Sequence, residues 1–283
     1  MGHSAARARR TLIGTAHRIG AALVALAFLL PLAWAVSTSL REQGAPLPLA
    51  MEWVPAPVAW ENYRAVFGIV DARRFVANSL LVAGAATPVT ILVASWAGFA
   101  IAQVSAKWRR RLVVLSVACL MVPLTAVWLP RFVLFAEAGL IDRRLALVVP
   151  ALMGTSPFYV LLYLWAFLRI PREVYDAARI DGAGPLRTWA QIGMPLARPA
   201  TVAVAVLSFV YYWNSFIEPL LYIRTEERMT VSLGLRVLYQ LDRTGWPIVL
   251  AGAVLATAPV VVVFLLAQRA FLQDGRGRGV LGE

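Results

Sequence analysis

The chain has 283 residues, of which 60% are hydrophobic and 15% charged, with a mean hydropathy of +0.70 and a net charge of +12. That is more apolar surface than a soluble domain of this length buries, so a water-soluble fold is excluded and lipid must cover part of the chain. Its single cysteine, Cys119, excludes an intramolecular disulfide, and its two histidines, His3 and His17, leave no His/Cys cluster for a metal.

Apolar runs near 17–39, 75–103, 112–135, 145–168, 200–222 and 248–271 match the about 20 helical residues that cross a hydrocarbon core about 30 Å thick. The expected fold is an all-α integral membrane protein with six transmembrane helices: an N-terminus at 1–16, a membrane domain at 17–271 and a tail at 272–283. The first run has a basic start and ends on Ala33-Trp34-Ala35, which imitates a secretory signal and its cleavage site. It outlasts the usual 7–15-residue signal core, so an uncleaved helix is expected. Pro46, Pro48, Pro55 and Pro57, with Trp53, Trp60 and Tyr63, predict an extended loop along the outer interface over 40–74. Asn78 and Ser79 mark where the second run enters the membrane.

Six spans put both termini on one side. The N-terminus with Arg18, the 104–111 loop, the 169–199 loop and the tail with Arg269 together hold 16 basic and 5 acidic residues. The segments 40–74, 136–144 and 223–247 hold 10 and 9. The positive-inside rule makes the first set cytoplasmic, and the basicity then needs no nucleic acid.

The 169–199 loop has its own helical pattern. Pro171 suits a first turn and Gly182 a C-terminal turn, which predicts a helix over about 172–181. Val174, Ala177, Ala178 and Asp181 share one face by three- and four-residue spacing. Beyond Gly182 and Gly184, Leu186, Trp189 and Ile192 give a second apolar face that ends near Pro195. From periodicity alone, a docking knob and an amphipathic loop resting on lipid are equally compatible.

At these residues a family resemblance becomes specific. Asp176-Ala177-Ala178, Asp181-Gly182-Ala183, Ile192 and Pro195 resemble the EAA motif of permease subunits in binding-protein-dependent ABC importers. Nine residues separate Gly182 from Ile192, as in that motif. Asp176 stands where Glu is usual and Met194 where Leu is usual. Trp213 to Leu220 and Thr230 to Leu235 resemble the carbohydrate branch, of the smaller maltose-permease subunit type; the Gly- and Arg-rich tail from Asp274 departs from it. The resemblance implies a type I importer permease fold and a docking site on a separate ATPase, made by Glu173, Asp176, Ala177, Ala178, Asp181, Gly182, Trp189, Ile192 and Pro195. It also implies a bacterial or archaeal inner membrane, a second permease subunit, two ATPase subunits, an extracytoplasmic solute-binding protein and a sugar substrate.

No phosphate-binding loop is present, since the only lysine, Lys107, has no glycine ahead of it in register. The chain therefore cannot bind ATP by that device, and its energy source is a partner or an ion gradient; the resemblance implies MgATP on a partner ATPase, and no cofactor or catalytic residue is expected in this chain. Polar residues inside spans are costly unless they face protein or a water-filled cavity, so they are candidates to line a path, or else to pack and join helices. In the fifth span Tyr211, Asn214, Ser215, Glu218 and Tyr222 form one helical stripe, and Tyr159 and Trp128 are further candidates to line the path. Arg131 and Glu218 have the charges for an ion pair. An importer for a non-sugar solute would share the loop, and an ion-driven transporter would need acidic residues nearer mid-membrane than Glu218.

Overall fold

The computed structural model describes residues 2–45, 53–241 and 245–277, and among them the regular structure is helical throughout. In chain order come α1 (Gly2–Ser39), α2 (Glu61–Ile69), α3 (Ala72–Gln103), α4 (Ala106–Leu120) and α5 (Leu124–Glu137). Next are α6 (Leu145–Val148), a 3-10 turn (Val149–Met153), α7 (Pro157–Leu168), α8 (Arg172–Ile180), α9 (Pro185–Thr188) and a π-helical turn (Trp189–Gly193). The order closes with α10 (Met194–Leu196), α11 (Arg198–Asn214), α12 (Ile217–Tyr222), a 3-10 turn (Glu226–Arg228), α13 (Val231–Leu241) and α14 (Trp246–Gly277).

By length and composition, His17–Ser39 in α1, all of α3, and Trp246–Arg269 in α14 can each cross a membrane. Three bent pairs also qualify: α4 with α5, bent by 88°, Leu145–Met153 with α7, bent by 41°, and Pro185–Leu196 with α11, bent by 82°. Six spans result if each bent pair is one span. Proline explains where the predicted continuous helices fail. α4 stops at Leu120 and Pro123 starts α5, so the 112–135 run is two helices. Pro219 has no N–H for the Ser215 carbonyl and its ring crowds that carbonyl, so the 200–222 run breaks between α11 and α12. Pro31, Pro88, Pro130 and Pro259 lie inside helices, so proline alone does not dictate a break.

The chain divides into two compact units, Met1–Val70 with Leu235–Leu255, and Asp71–Gly234 with Ala256–Glu283. In the first, α1 runs unbroken through Ala33-Trp34-Ala35. The fully buried Asn62 donates from Nδ2 to the carbonyls of Ser39 (2.9 Å) and Arg41 (2.7 Å), which ties α2 to the end of α1. The Ser39 hydroxyl meets the Tyr63 hydroxyl at 2.7 Å. The 40–74 segment is thus not simply extended, as predicted, because it contains α2; Pro46 and Pro48 lie outside the described residues. So do residues 278–283 of the tail, whose described part continues α14 to Gly277.

In the second unit α3 is the central post, packed against α7 and α11. Ala86, Thr90, Ala94 and Gly98 repeat every four residues and are all buried, a ridge of small residues that lets other backbones approach. One core cluster gathers Val82, Ala83 and Ala86 with Phe135, Leu147, Tyr212 and Tyr222. A second gathers Ala94 and Phe99 with Tyr163, Phe167, Tyr175 and Val204. At Gly98 a Cβ would stand 2.8 Å from Tyr163 Cβ and 2.9 Å from both Leu164 N and Val160 O. Two of those atoms are backbone and cannot turn aside. Gly98→Ala should therefore destabilise the chain by about 1–3 kcal/mol, read as a lower melting temperature in detergent. Gly84→Ala, on the same helix with nothing within 4 Å, should be neutral or stabilising; equal losses from both would refute the close contact.

Candidate functional site: an anchored helix and a polar cluster

α8 occupies 172–180, close to the predicted 172–181. Pro171 sits at its N-cap; Glu173 in the first turn and Arg179 in the last complement the helix dipole. Its end is a Schellman turn: Gly182 (φ +74°) donates to Arg179 O at 3.0 Å and Ala183 N donates to Ala178 O at 2.9 Å. Nothing lies within 4 Å of a Cβ built on Gly182, so glycine is needed there for its backbone angle rather than for space.

The predicted face of Val174, Ala177, Ala178 and Asp181 splits in two. Ala178 is buried beside Tyr175 and Val174 is half-buried, whereas Ala177 and Asp181 are exposed. The outward face is instead Glu173, Asp176, Ala177 and Ile180, at i, i+3, i+4 and i+7, with Ile180 86% exposed. Asp176 pairs with Arg179 at 3.1 Å, and Arg179 also donates to Gln103 Oε1 at the end of α3 (3.1 Å).

Tyr175 is the anchor, and the sequence reading missed it. Its ring lies 6.1 Å from Phe99 on α3, and its hydroxyl donates to Phe167 O on α7 at 3.2 Å. Burial pushes the phenol up to about 12, so it stays a neutral donor. Phe99 and Phe167 meet edge to face at 5.5 Å. The spacing of Tyr175 and Ala178 at i, i+3 was the available signal. The second predicted face is also altered, because the π-helical turn over 189–193 breaks its three-residue period. Leu186 and Pro195 are exposed, while Trp189 and Ile192 are half-buried, Trp189 edge-on to Trp96 at 5.8 Å. A cavity of about 580 Å³ lies between α3, α8 and this turn, lined by Trp96, Phe99, Tyr175, Leu186 and Trp189 among others.

The polar residues of the fifth run converge despite the break. Glu218 on α12 accepts from the Tyr211 hydroxyl on α11 (2.9 Å) and from the Ser215 hydroxyl between the helices. Tyr211 and Tyr212 meet edge to face at 5.2 Å. Thr155 bridges Thr90 and Tyr212, with both hydroxyl contacts at 2.6 Å, and holds its own strained φ of +60°. A void of about 10 Å³ separates Tyr211, Tyr212, Ser215, Glu218 and Thr230. Asn214 is exposed beside this cluster, Tyr222 is fully buried against Phe135, Tyr159 is buried in the second core cluster and Trp128 is half-buried. Among the described residues Arg131 and Glu218 form no ion pair, contrary to the pairing their charges allowed. No group of acidic, His and Cys residues suited to a metal occurs among the described residues.

Between α5 and α6, Asp142 (φ +59°) ties the 139–144 turn to the 223–228 segment. Its carboxylate accepts from Arg224 N (2.9 Å), Thr225 N (3.0 Å), the Thr225 hydroxyl (2.9 and 3.0 Å) and Arg228 (2.7 Å). Asn78 holds the same segment through Glu227 O (2.9 Å) and Met229 O (2.8 Å), and Ser79 accepts from Val231 N (2.9 Å) at the start of α13.

This is a multi-pass helical membrane protein by its fold. The model of the family "binding-protein-dependent transport system inner membrane component" matches residues 88–274, and the chain belongs to that family. It is 31% identical over 223 residues to the lactose transport system permease protein LacG of Rhizobium radiobacter, covering 79% of each chain. It is 30% identical over 264 residues to the arabinooligosaccharides transport system permease protein AraQ of Bacillus subtilis, covering 92% of this chain and 93% of that one. A solved bacterial ABC transporter involved in the import of alginate shares the fold, with a TM-score of 0.73 at 21% identity over 92% of this chain and 97% of that one.

Tyr175→Ala should speed amide exchange across 172–180 by more than tenfold while leaving the middle of α3 protected; Tyr175→Phe should do so only severalfold. At Asp142, burial raises the carboxyl, but the hydrogen bonds from Thr225 and Arg224 and the charge of Arg228 outweigh it and hold it below its ordinary 3.8. A depressed value stabilises the fold above the unfolded-state value and loses that contribution as pH falls through the folded-state one. The melting advantage of the native chain over Asp142→Asn should therefore be full near pH 6 and shrink only as pH drops below about 4.

Proposed function

We propose that this chain is one half of the translocation pathway of an ATP-driven importer for a sugar or oligosaccharide, and that α8 seats on a separate ATPase subunit. The observation that carries the reading is the construction of α8: a capped helix with an exposed Glu173/Asp176/Ala177/Ile180 face, fixed by Tyr175 to α3 and α7. Ala177 permits close approach, Asp176 and Glu173 offer polar contacts, and Gly182 sets the angle to α9. A push on α8 passes through Tyr175, Phe99 and Phe167 into α3 and α7 as a rigid-body shift between inward- and outward-facing states.

The relatives named above, for lactose and arabinooligosaccharides, support a sugar. Tyr211, Ser215 and Glu218, with exposed Asn214 beside them, offer the hydroxyl, carboxylate and aromatic groups that carbohydrate recognition uses. The assembly comprises a second permease subunit, two ATPases that hold MgATP, and an extracytoplasmic solute-binding protein. The charge asymmetry supports both termini facing the cytoplasm.

Gly182→Arg tests the docking. Among the described residues nothing lies within 4 Å of a Cβ built at this position, so the added side chain acts on the left-handed turn and on whatever meets it. In reconstituted vesicles this variant should insert normally, lose the ATPase subunit on purification and lose vanadate-sensitive sugar uptake by at least tenfold. Normal uptake by the variant, or uptake by the native complex that an ionophore alone abolishes, would refute the proposal.

A further inference from the structure

The first two turns of α4 carry Lys107, Arg110 and Arg111 at i, i+3 and i+4, followed on the same face by Val114 and Ala118 and by Met121 at the C-cap. The three cations are exposed, Val114 is 60% and Met121 79% exposed, and no residue of α4 is buried. Ala106, Lys107, Arg110, Arg111 and Val114 line an open groove of about 670 Å³. No acidic residue shares those turns, and Lys107 and Arg110 have no hydrogen bond or ion pair among the described residues. Arg111 lies 4.9 Å over the exposed ring of Trp108. α7 packs against α4, and just past its end Arg169 lies 3.8 Å over the exposed ring of Trp165. The two paired tryptophans and arginines are the amphipathic groups that settle at a membrane's headgroup level.

We propose that this groove seats an anionic phospholipid, its phosphate among Lys107, Arg110 and Arg111 and an acyl chain along Val114, Ala118 and Met121. Charge complementarity selects an anion, and the exposed apolar face running directly on from the cations selects an amphiphile. An acidic protein surface would match the cations and leave that face uncovered. The lipid of the inner leaflet is meant, which rests on the cytoplasmic placement of residues 104–111 that the charge asymmetry supports.

The test is native mass spectrometry of the whole transporter taken from symmetric nanodiscs of equal phosphatidylcholine and phosphatidylglycerol, so the readout does not depend on orientation. The native complex should retain phosphatidylglycerol, and added salt should release it. Each cation near an anionic surface is worth about fivefold in binding, so Arg110→Gln should lower retention about fivefold and the combined Lys107→Gln, Arg110→Gln and Arg111→Gln variant on the order of a hundredfold. Equal retention by native and triple variant, or retention in the native complex that salt does not alter, would overturn the proposal. A triple variant that keeps the lipid and loses the ATPase would also overturn it, by showing a protein contact. The single variant keeps the test decisive if the triple variant fails to insert. Failure of the α8 docking proposal would appear instead as ATPase retained by Gly182→Arg.

Discussion

A hydroxyl or carbonyl inside lipid has only protein to bond to, and this constraint makes α3 the post on which the larger unit is built. Its ridge of Ala86, Thr90, Ala94 and Gly98 does two things at once. Small side chains let α7 approach until backbone nearly touches backbone at Gly98. The one hydroxyl on the ridge, Thr90, is absorbed by Thr155 and through it by Tyr212. That chain of three hydroxyls also holds Thr155 in a left-handed conformation that a β-branched residue rarely adopts. The turn between the 3-10 segment and α7 is thus held by a bond whose alternative, in lipid, is no bond at all.

The same post connects the two regions of interest. Val82, Ala83 and Ala86 belong to the cluster around Tyr212 and Tyr222, and Ala94 and Phe99 to the cluster around Tyr175 and Phe167. From Val82 to Phe99 is about 25 Å of continuous helix. The polar cluster around Glu218 and the foot of α8 therefore rest on one rod rather than on separate loops. Close-packed interiors transmit displacement instead of absorbing it, and any displacement of α8 would reach the post through the edge-to-face contacts of Phe99 with Phe167 and Tyr175.

Much of this was readable in the sequence, for identifiable reasons. Long apolar runs report lipid exposure directly, so the runs that became α1, α3 and α14 were placed within a few residues. The α8 boundaries were readable because Pro171 and Gly182 act through local backbone chemistry. The breaks after Leu120 and Asn214 were not, because Pro123 and Pro219 break helices while Pro88 and Pro259 do not, and tertiary packing decides between them. The orientation of α8 was misjudged by one residue for a similar reason: alanine marks an apolar face weakly, and the large Tyr175 decided which side turned inward. The stripe through Tyr211 and Glu218 assumed one continuous helix. The two residues still meet, across the break between α11 and α12.

Two glycines separate two kinds of restriction on how this sequence can drift. Gly98 is closed to every side chain, because the space where a Cβ would go is filled by another helix's backbone. Gly182 has open space around it and is held only by its positive φ. Asparagine tolerates that conformation, so neutral drift at 182 has an exit that 98 lacks. Among descendants of this chain, the residue at the bend after α8 can change its name and keep its shape, while the quiet glycine inside the membrane cannot.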